Sequence, residues 1–309
     1  MELTILAGGV GAARFLSGLV RAVPSESVTV VINTGDDFVL YGLCISPDID
    51  IVTYTLAEIV HPIQGWGIAD DSFKCLSMME RLGHPTWFNL GDQDIGTHLH
   101  RTLRLNQGYS LSQVTEEIRT ALGVKSRLLP MSNELVRTHI QTGNELIPFQ
   151  EYLVRRKGRD SVREIVFVGI EQALPAPGVI ASLHHASGII IAPSNPFVSI
   201  GTILAVPGIR AVLQKSEAPV IAISPIVGGA AIKGPAAQMM RGLGYEVSPL
   251  GIARLYQDIL DVLVIDRVDS DLEEIIRELG IRVFVADTIM ETEEKKVNLA
   301  RTILNILKG

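Results

Sequence analysis

A doubly wound, mostly parallel α/β fold of the Rossmann-like kind is predicted for this chain, and three observations predict it. The chain opens with an apolar strand, a glycine turn, an amphipathic helix and a second apolar strand, at the spacing of a βαβ unit. Later apolar runs are short, continuous and rich in β-branched residues, as strands covered on both faces are. Helical patterns lie between those runs.

Taken in order, the first strand is expected at residues 3–6, followed by the turn Gly8-Gly9-Val10-Gly11 and a helix over 12–23. The second buried strand is expected at 27–33. Later strands of the same type are expected at 164–169, 188–192, 220–224, 262–266 and 282–286. A helix over 270–279 places Leu272, Ile275, Ile276 and Leu279 on one face, with acids opposite. Another over 111–122 is capped by Ser110, and an amphipathic helix over 293–307 closes the chain. Residues 60–160 are richer in aromatic and polar side chains, including Trp66, Trp87, Phe88, His98, His100 and His139. That stretch reads as helical at first, then as a hairpin with arms at 136–141 and 145–154 around Gly143-Asn144. The expectation is one α/β domain over 1–309, with an inserted substrate-binding subdomain of helical and hairpin character at about 60–160.

Composition narrows the function classes. With 309 residues, 47% of them hydrophobic, a large core is available. The formal net charge is -7 and no long Lys/Arg run occurs. The basic surplus that nucleic-acid binding needs is therefore absent, and no nucleic-acid partner is expected. Cys44 and Cys75 make neither a CxxC pair nor a metal-ligand spacing, so reduced, buried thiols are expected. The opening MELTILAGGVG carries no basic segment and no cleavage signature. The apolar stretches at 187–192 and 219–223 fall far short of the roughly 20 residues that span a bilayer. A cytoplasmic protein without a membrane partner is expected.

Six constellations carry possible chemistry. In Gly8-Gly9-Val10-Gly11-Ala12-Ala13-Arg14, glycines allow a tight turn and a close backbone approach, and the helix start behind them favours an anion. A phosphate or diphosphate fits there, and Arg14 either clamps it or sits in solvent. The motif lacks the Lys-Ser/Thr ending of a P-loop and the spacing of GxGxxG, so a structural turn is the alternative. Asn33-Thr34-Gly35-Asp36-Asp37 follows the second strand, where open parallel sheets bind ligands. Two adjacent aspartates suit Mg²⁺, which takes oxygen ligands and bridges to phosphates. In Ser46-Pro47-Asp48-Ile49-Asp50 an extended backbone would turn both aspartates to one side, where either ligates a metal or accepts a proton, although taken alone the segment reads rather as a solvated surface turn. Asn89-Leu90-Gly91-Asp92-Gln93-Asp94 opens a helix that Asp92 or Asp94 would cap. Pro130-Met131-Ser132-Asn133 and Pro193-Ser194-Asn195-Pro196 offer polar groups beyond strand ends, or ordinary turns. Ser224-Pro225-Ile226-Val227-Gly228-Gly229 repeats that arrangement. No Gly-x-Ser-x-Gly elbow and no paired His/Cys spacing occurs, which ranks hydrolytic triads and zinc chemistry low. His184 and His185 read as surface residues of a helix.

Together LAGGVGAARFL, NTGDD, SPDID, NLGDQD, LPMSN, APSNP and SPIVGG resemble the 2-phospho-L-lactate transferase family, in order and over nearly the whole chain. The resemblance implies an Mg²⁺-dependent phosphotransferase of coenzyme F-420 biosynthesis on a doubly wound core, usually a homodimer. It implies transfer of a phospholactyl or phosphoenolpyruvyl group from a guanosine diphospho-conjugate to the ribityl hydroxyl of 7,8-didemethyl-8-hydroxy-5-deazariboflavin, with release of GMP. It places Mg²⁺ on Asp36 and on Asp48 or Asp50, with Asp36 and Asp50 catalytic. Nucleotide and phosphates fall to Gly8, Gly9, Gly11, Arg14, Asn33, Ser194 and Asn195, and the acceptor to Asp50, Asn89, Asp92 and Ser132. Asp50 would orient or deprotonate the attacking hydroxyl. This chain departs from the family pattern at Gln93, where many members carry arginine, and at Asn89, where some carry a basic residue; Arg101 or Arg104 is a candidate replacement for that charge.

Two other readings compete. A related group of nucleotide-sugar-binding regulators shares the core and glycine loop but would bind without catalysis; the SPDID aspartates and the long insert argue against it. A nicotinamide-dependent oxidoreductase is disfavoured by the loop spacing and by the lack of a proton-shuttling residue. The choice between lactate and enolpyruvate donors, and the residues that read guanine, leave no legible mark in the sequence.

Overall fold

In a computed structural model describing residues 1–308, seven strands form one parallel sheet. From one edge they run Arg127–Pro130, Val28–Ile32, Leu3–Ala7, Gly188–Ile191, Val220–Ile223, Val262–Asp266 and Arg282–Ala286. Numbered along the chain, that order is 3-2-1-4-5-6-7. The winding direction reverses between Leu3–Ala7 and Gly188–Ile191, so a crevice opens beyond the carboxyl ends of those two strands.

Both faces of the sheet are covered, which explains the continuous apolar strands. Leu6, Val31, Ile189, Ile191 and Leu263 pack on one side with Ile200, Ile203 and Ile252. Leu3, Ile5, Val30, Ile190 and Val264 pack on the other with Phe15, Leu16, Leu299 and Ile303. Alternate residues of one strand thus serve two cores. The helices Gly9–Leu19 and Glu293–Lys308 close the second face; Leu111–Ala121 carries a capping box from Ser110 and Gln113.

Four expectations change. Val162–Val168 is a strand, but it pairs antiparallel with Arg137–Thr142 in a separate three-stranded sheet that includes Glu145–Pro148. Its run is only partly buried, and a short apolar run does not reveal which sheet it joins. Arg127–Pro130 was not legible as a strand; it is a four-residue edge strand, too short to show a period. Because it belongs to the central sheet, the 60–160 stretch is two insertions flanking a core strand. The hairpin arm expected over 145–154 stops at Pro148, and a π-helical turn follows over Glu151–Arg155. Of the thiols, Cys44 is half-buried and Cys75 exposed, and both are free. Among the described residues no helix is long and apolar enough to cross a membrane.

The glycine turn fixes how closely the switch-point segments meet. A Cβ on Gly11 would collide with the Pro193 carbonyl oxygen, part of the backbone after Gly188–Ile191. The substitution Gly11→Ala is expected to destabilise the fold by about 1–3 kcal/mol, the usual range for overpacking against backbone. Denaturant unfolding measures it, and an unchanged midpoint would mean the two loops separate freely.

Candidate active site

The crevice holds a cavity of about 390 Å³, lined by the tips of the sheet, the loops beyond them and the two insertions. Its floor is the glycine turn. Gly8 is extended, and Gly9 takes φ +72°, which favours glycine. The Gly8 amide donates to Ser194 Oγ at 3.2 Å and the Gly9 amide to Asp48 Oδ1 at 2.9 Å. A Cβ on Gly8 would stand 2.6 Å from Asp48 Oδ2 and 2.7 Å from Ser199 Cβ, so glycine is what lets these groups close. The N-cap of the Gly9–Leu19 helix is Gly8, which has no side chain to cap it; Asp48 takes the Gly9 amide, and Val10 and Gly11 of the first turn line the cavity. Arg14, one turn on, also lines it.

Two carboxylates face this floor. Residues expected to be extended at Asp48 and Asp50 instead start a helix, Pro47–Leu56, with proline at its first position, where a missing N–H costs nothing. Helical geometry turns the two aspartates apart. Asp48 goes to the glycine turn and accepts from Asn33 Nδ2 at 2.9 Å. Asn33, buried behind it, takes the Gly35 amide on its own oxygen at 2.9 Å. Asp36 lies in the cavity wall with Oδ1 buried and unpartnered. Burial, then the charges of Asp48 and Asp37, raises Asp36 well above the usual carboxylate range. Burial likewise lifts Asp48 to about 6, and Asp37 to about 7 against the Ser46 hydroxyl bonded to it. An orphaned carboxylate oxygen beside a second buried carboxylate fits a hard cation. Mg²⁺ commonly takes one or two protein carboxylates and completes its shell with water and substrate phosphate.

Asp50 does not join that pair. Both amino groups of Arg101 engage its carboxylate, one at 3.1 Å, and Arg101 is 1% exposed. His98 Nδ1 lies 3.1 Å from Arg101, and its pKa is lowered to about 4, mainly by burial, so the imidazole is neutral. Asp94 lines the same end of the cavity and is raised to about 6 by burial and then by Asp50. Burial keeps the Tyr54 phenol there protonated. Among the described residues no three or more His, Cys, Asp or Glu side chains form a ready metal cage. The three aspartates Asp36, Asp48 and Asp50 therefore share a cavity and divide into a cation-fitting pair and an arginine-bound single.

The remaining sequence candidates separate. Asn89, Ser194 and Asn195 line the cavity. The Asn195 oxygen is taken by the Phe197 and Val198 amides, the turn role that its position before proline suits. Ser132 does not line the cavity: its hydroxyl donates to the Leu174 carbonyl at 2.7 Å. Asp92 does not either, because it accepts from the Lys74 and Cys75 amides and so caps the Lys74–Arg81 helix. The cap of its own helix, Asp92–Asn106, is supplied by Asp71, on the Gln93 and Asp94 amides. Arg104 pairs with Glu117 away from the cavity, while Arg101 sits at its base. His184 and His185 are exposed on the Val179–His185 helix.

Sequence reasoning missed Tyr54, Asp94, Lys233 and the burial of Arg101. For the Asp92–Asn106 helix a signal existed. Asp94, His98 and Arg101 fall at i, i+4 and i+7 and are buried, while Leu99 and Leu103 on the other side are 54% and 57% exposed. A polar stripe at helical spacing is a site signature when the apolar residues face outward. The apolar part of the cavity lining includes Trp66 and Phe88 from one insertion and Phe149 and Leu153 from the other. Phe88 is held edge-on to Phe38, with ring centroids 4.9 Å apart.

The family model described as 2-phospho-L-lactate transferase CofD matches residues 3–303. The chain belongs to this family. Membership makes it a transferase of coenzyme F-420 biosynthesis. Among relatives, a phosphoenolpyruvate transferase of Kitasatospora aureofaciens is 43% identical, with 98% of this chain and 97% of that protein covered. A 2-phospho-L-lactate transferase of Methanocaldococcus jannaschii is 37% identical, covering 98% and 97%. The solved structure of a Bacillus halodurans protein of the UPF0052 family superposes with a TM-score of 0.65 at about 15–16% identity, covering 98% of each chain or more, a likeness of fold.

Two tests follow from the electrostatics of this family member's site. Arg101→Met strands Asp50 as a buried, unpaired charge and is expected to destabilise the protein by about 3–5 kcal/mol, part of which Asp50→Asn restores in the double variant. Urea unfolding of the four species measures this, and additive effects would show that the pair is not coupled. The second concerns pH. Asp48 and Asp94 at about 6 and Asp37 at about 7 stay protonated in the folded state where the unfolded carboxyls, near 3.8, have ionised. The folded protein therefore binds more protons between about pH 4 and pH 7, and the stability these groups contribute falls as pH rises through that window. The metal-free melting temperature is expected to be higher near pH 5 than near pH 7.5, with millimolar Mg²⁺ recovering part of the difference only at the higher pH. A melting curve indifferent to both variables would contradict this electrostatic account.

Proposed function

We propose that this transferase moves a 2-phospholactyl or phosphoenolpyruvyl group from a guanosine diphospho-conjugate to the terminal ribityl hydroxyl of 7,8-didemethyl-8-hydroxy-5-deazariboflavin, with release of GMP. The observation that carries the reading is the division of one cavity into two chemically distinct ends. One end has glycine-turn amides, Arg14, Lys233, Asp36 and Asp48, a setting for a diphosphate. The other has the Asp50–Arg101 pair with Tyr54, Asp94 and His98, and the lining adds the rings of Trp66 and Phe88, a setting for a flat heteroaromatic ring with a polyol tail.

The reaction forms a bond from the ribityl oxygen to the phosphorus that bears the lactyl or enolpyruvyl group. It breaks the bond from that phosphorus to the bridging oxygen, which departs with GMP. Positioning and charge stabilisation supply most of such catalysis. The open amides of Val10 and Gly11 and the Arg14 guanidinium hold the phosphates from the floor. Asp50, oriented by Arg101, accepts a hydrogen bond from the attacking hydroxyl and sets its direction. Asp94, whose pKa of about 6 suits proton transfer near neutral pH, takes the proton. Bound on Asp36 and Asp48, Mg²⁺ would neutralise the diphosphate and polarise the phosphorus centre. The aromatic lining excludes water, which would otherwise compete as the nucleophile.

Asp36→Asn is expected to lower turnover by orders of magnitude with the melting temperature held or raised, since it removes a carboxylate that burial penalises. Mg²⁺-dependent GMP release measured with and without the deazaflavin checks the reading. Release that needs the deazaflavin supports a transferase over a protein that only binds nucleotides. Undiminished release by Asp36→Asn would remove the cation role. Offering both donor conjugates together and resolving products by mass assigns the transferred group.

A further inference from the structure

The Val220–Ile223 strand is followed by a two-stranded hairpin, Ile226–Val227 with Ala230–Ala231, turned by Gly228 and Gly229 at φ +56° and +73°. The hairpin is anchored: the Gly228 amide donates to Asp269 Oδ2 at 3.0 Å, beyond the neighbouring strand. The short connection that follows lays Lys233 across the cavity mouth. Its ammonium donates to the Gln64 carbonyl at 2.9 Å, on a loop of the first insertion. That loop rests on the glycine turn, where a Cβ on Gly65 would stand 2.9 Å from Val10 Cγ1.

Arg14 and Lys233 are the two cationic side chains of the lining that no carboxylate neutralises, whereas Arg101 below them is matched by Asp50. They are close enough that Arg14, after burial, lowers the Lys233 pKa. Two like charges sharing one end of a cavity leave a site that an anion between them completes. Lysine suits it as a compact point charge with three donors, of which Gln64 takes one.

We infer that Lys233 is a donor-binding residue: while still tied to Gln64, its ammonium group grips the second, group-carrying phosphate opposite Arg14 and straps the loop of the first insertion over the bound donor. This rests on reading the site as a guanosine diphosphate site. Lys233 therefore discriminates diphosphate from monophosphate.

Calorimetric titration of GDP and GMP into wild type, Lys233→Met and Lys233→Arg, with Mg²⁺ present, tests it. Losing one charge-assisted contact is expected to weaken GDP binding roughly 10- to 100-fold in Lys233→Met. GMP binding should be little changed, and Lys233→Arg should keep most of the GDP affinity. Lys233 is exposed on a connection between elements, so the variants retain the fold. Equal weakening of GDP and GMP would reveal a merely structural residue and overturn the inference, as would GDP binding that Lys233→Met leaves intact. Failure of the wild type to bind GDP would overturn the donor-site reading itself, and this inference with it.

Discussion

The seat of Asp48 is the joint on which the site depends. Its carboxylate accepts from the Gly9 amide on one side and from Asn33 on the other, while Gly8 leaves room for it against Ser199. Four segments meet there: the ends of the first two strands in the chain, the helix that begins at Pro47, and the loop after Gly188–Ile191. Each brings a group that only fits because its neighbours are small or hydrogen-bonded. Since these partners are uncharged, they satisfy the oxygens without neutralising the charge, and the pKa of Asp48 still rises.

That residual charge separates the chemistry of the two ends. Beside Asp48, Asp36 is buried with an oxygen that nothing meets, so the pair favours a proton or a cation. At the other end Asp50 is already matched by Arg101, and the neighbouring imidazole stays neutral. Three aspartates that look alike in NTGDD and SPDID therefore have different electrostatic fates. The difference arises from one arginine delivered by a helix about fifty positions further along the chain. The aromatic wall raises the stakes of both arrangements, because charges held away from water interact more strongly.

The fold was legible where many weak signals agree. The opening βαβ unit, four of the later core strands and the terminal helix follow from apolar periodicity and glycine placement. Val162–Val168 was visible as a strand but not as part of another sheet. Arg127–Pro130 was invisible, because four residues at a sheet edge carry no period. In the site, Gly8, Gly9, Asp36, Asp48 and Asp50 were recognisable as small or acidic residues beyond strand ends. Ser132 and Asp92 had the same appearance, yet one stabilises a loop and the other caps a helix. Lys233 stood unremarked because its connection matches no motif.

By itself the sequence determined the class of fold, the end of the sheet at which ligands bind, and the small and acidic residue types assembled there. These are local properties: alternation, helical spacing and the turns that glycine permits. Tertiary structure alone decided which carboxylate is paired, which oxygen is left without a partner, and which cations face the cavity. The physical reason is that burial and charge pairing are set by neighbours distant in sequence. Arg101 reaches Asp50, and Lys233 reaches Gln64, only after the sheet has brought their segments to one crevice.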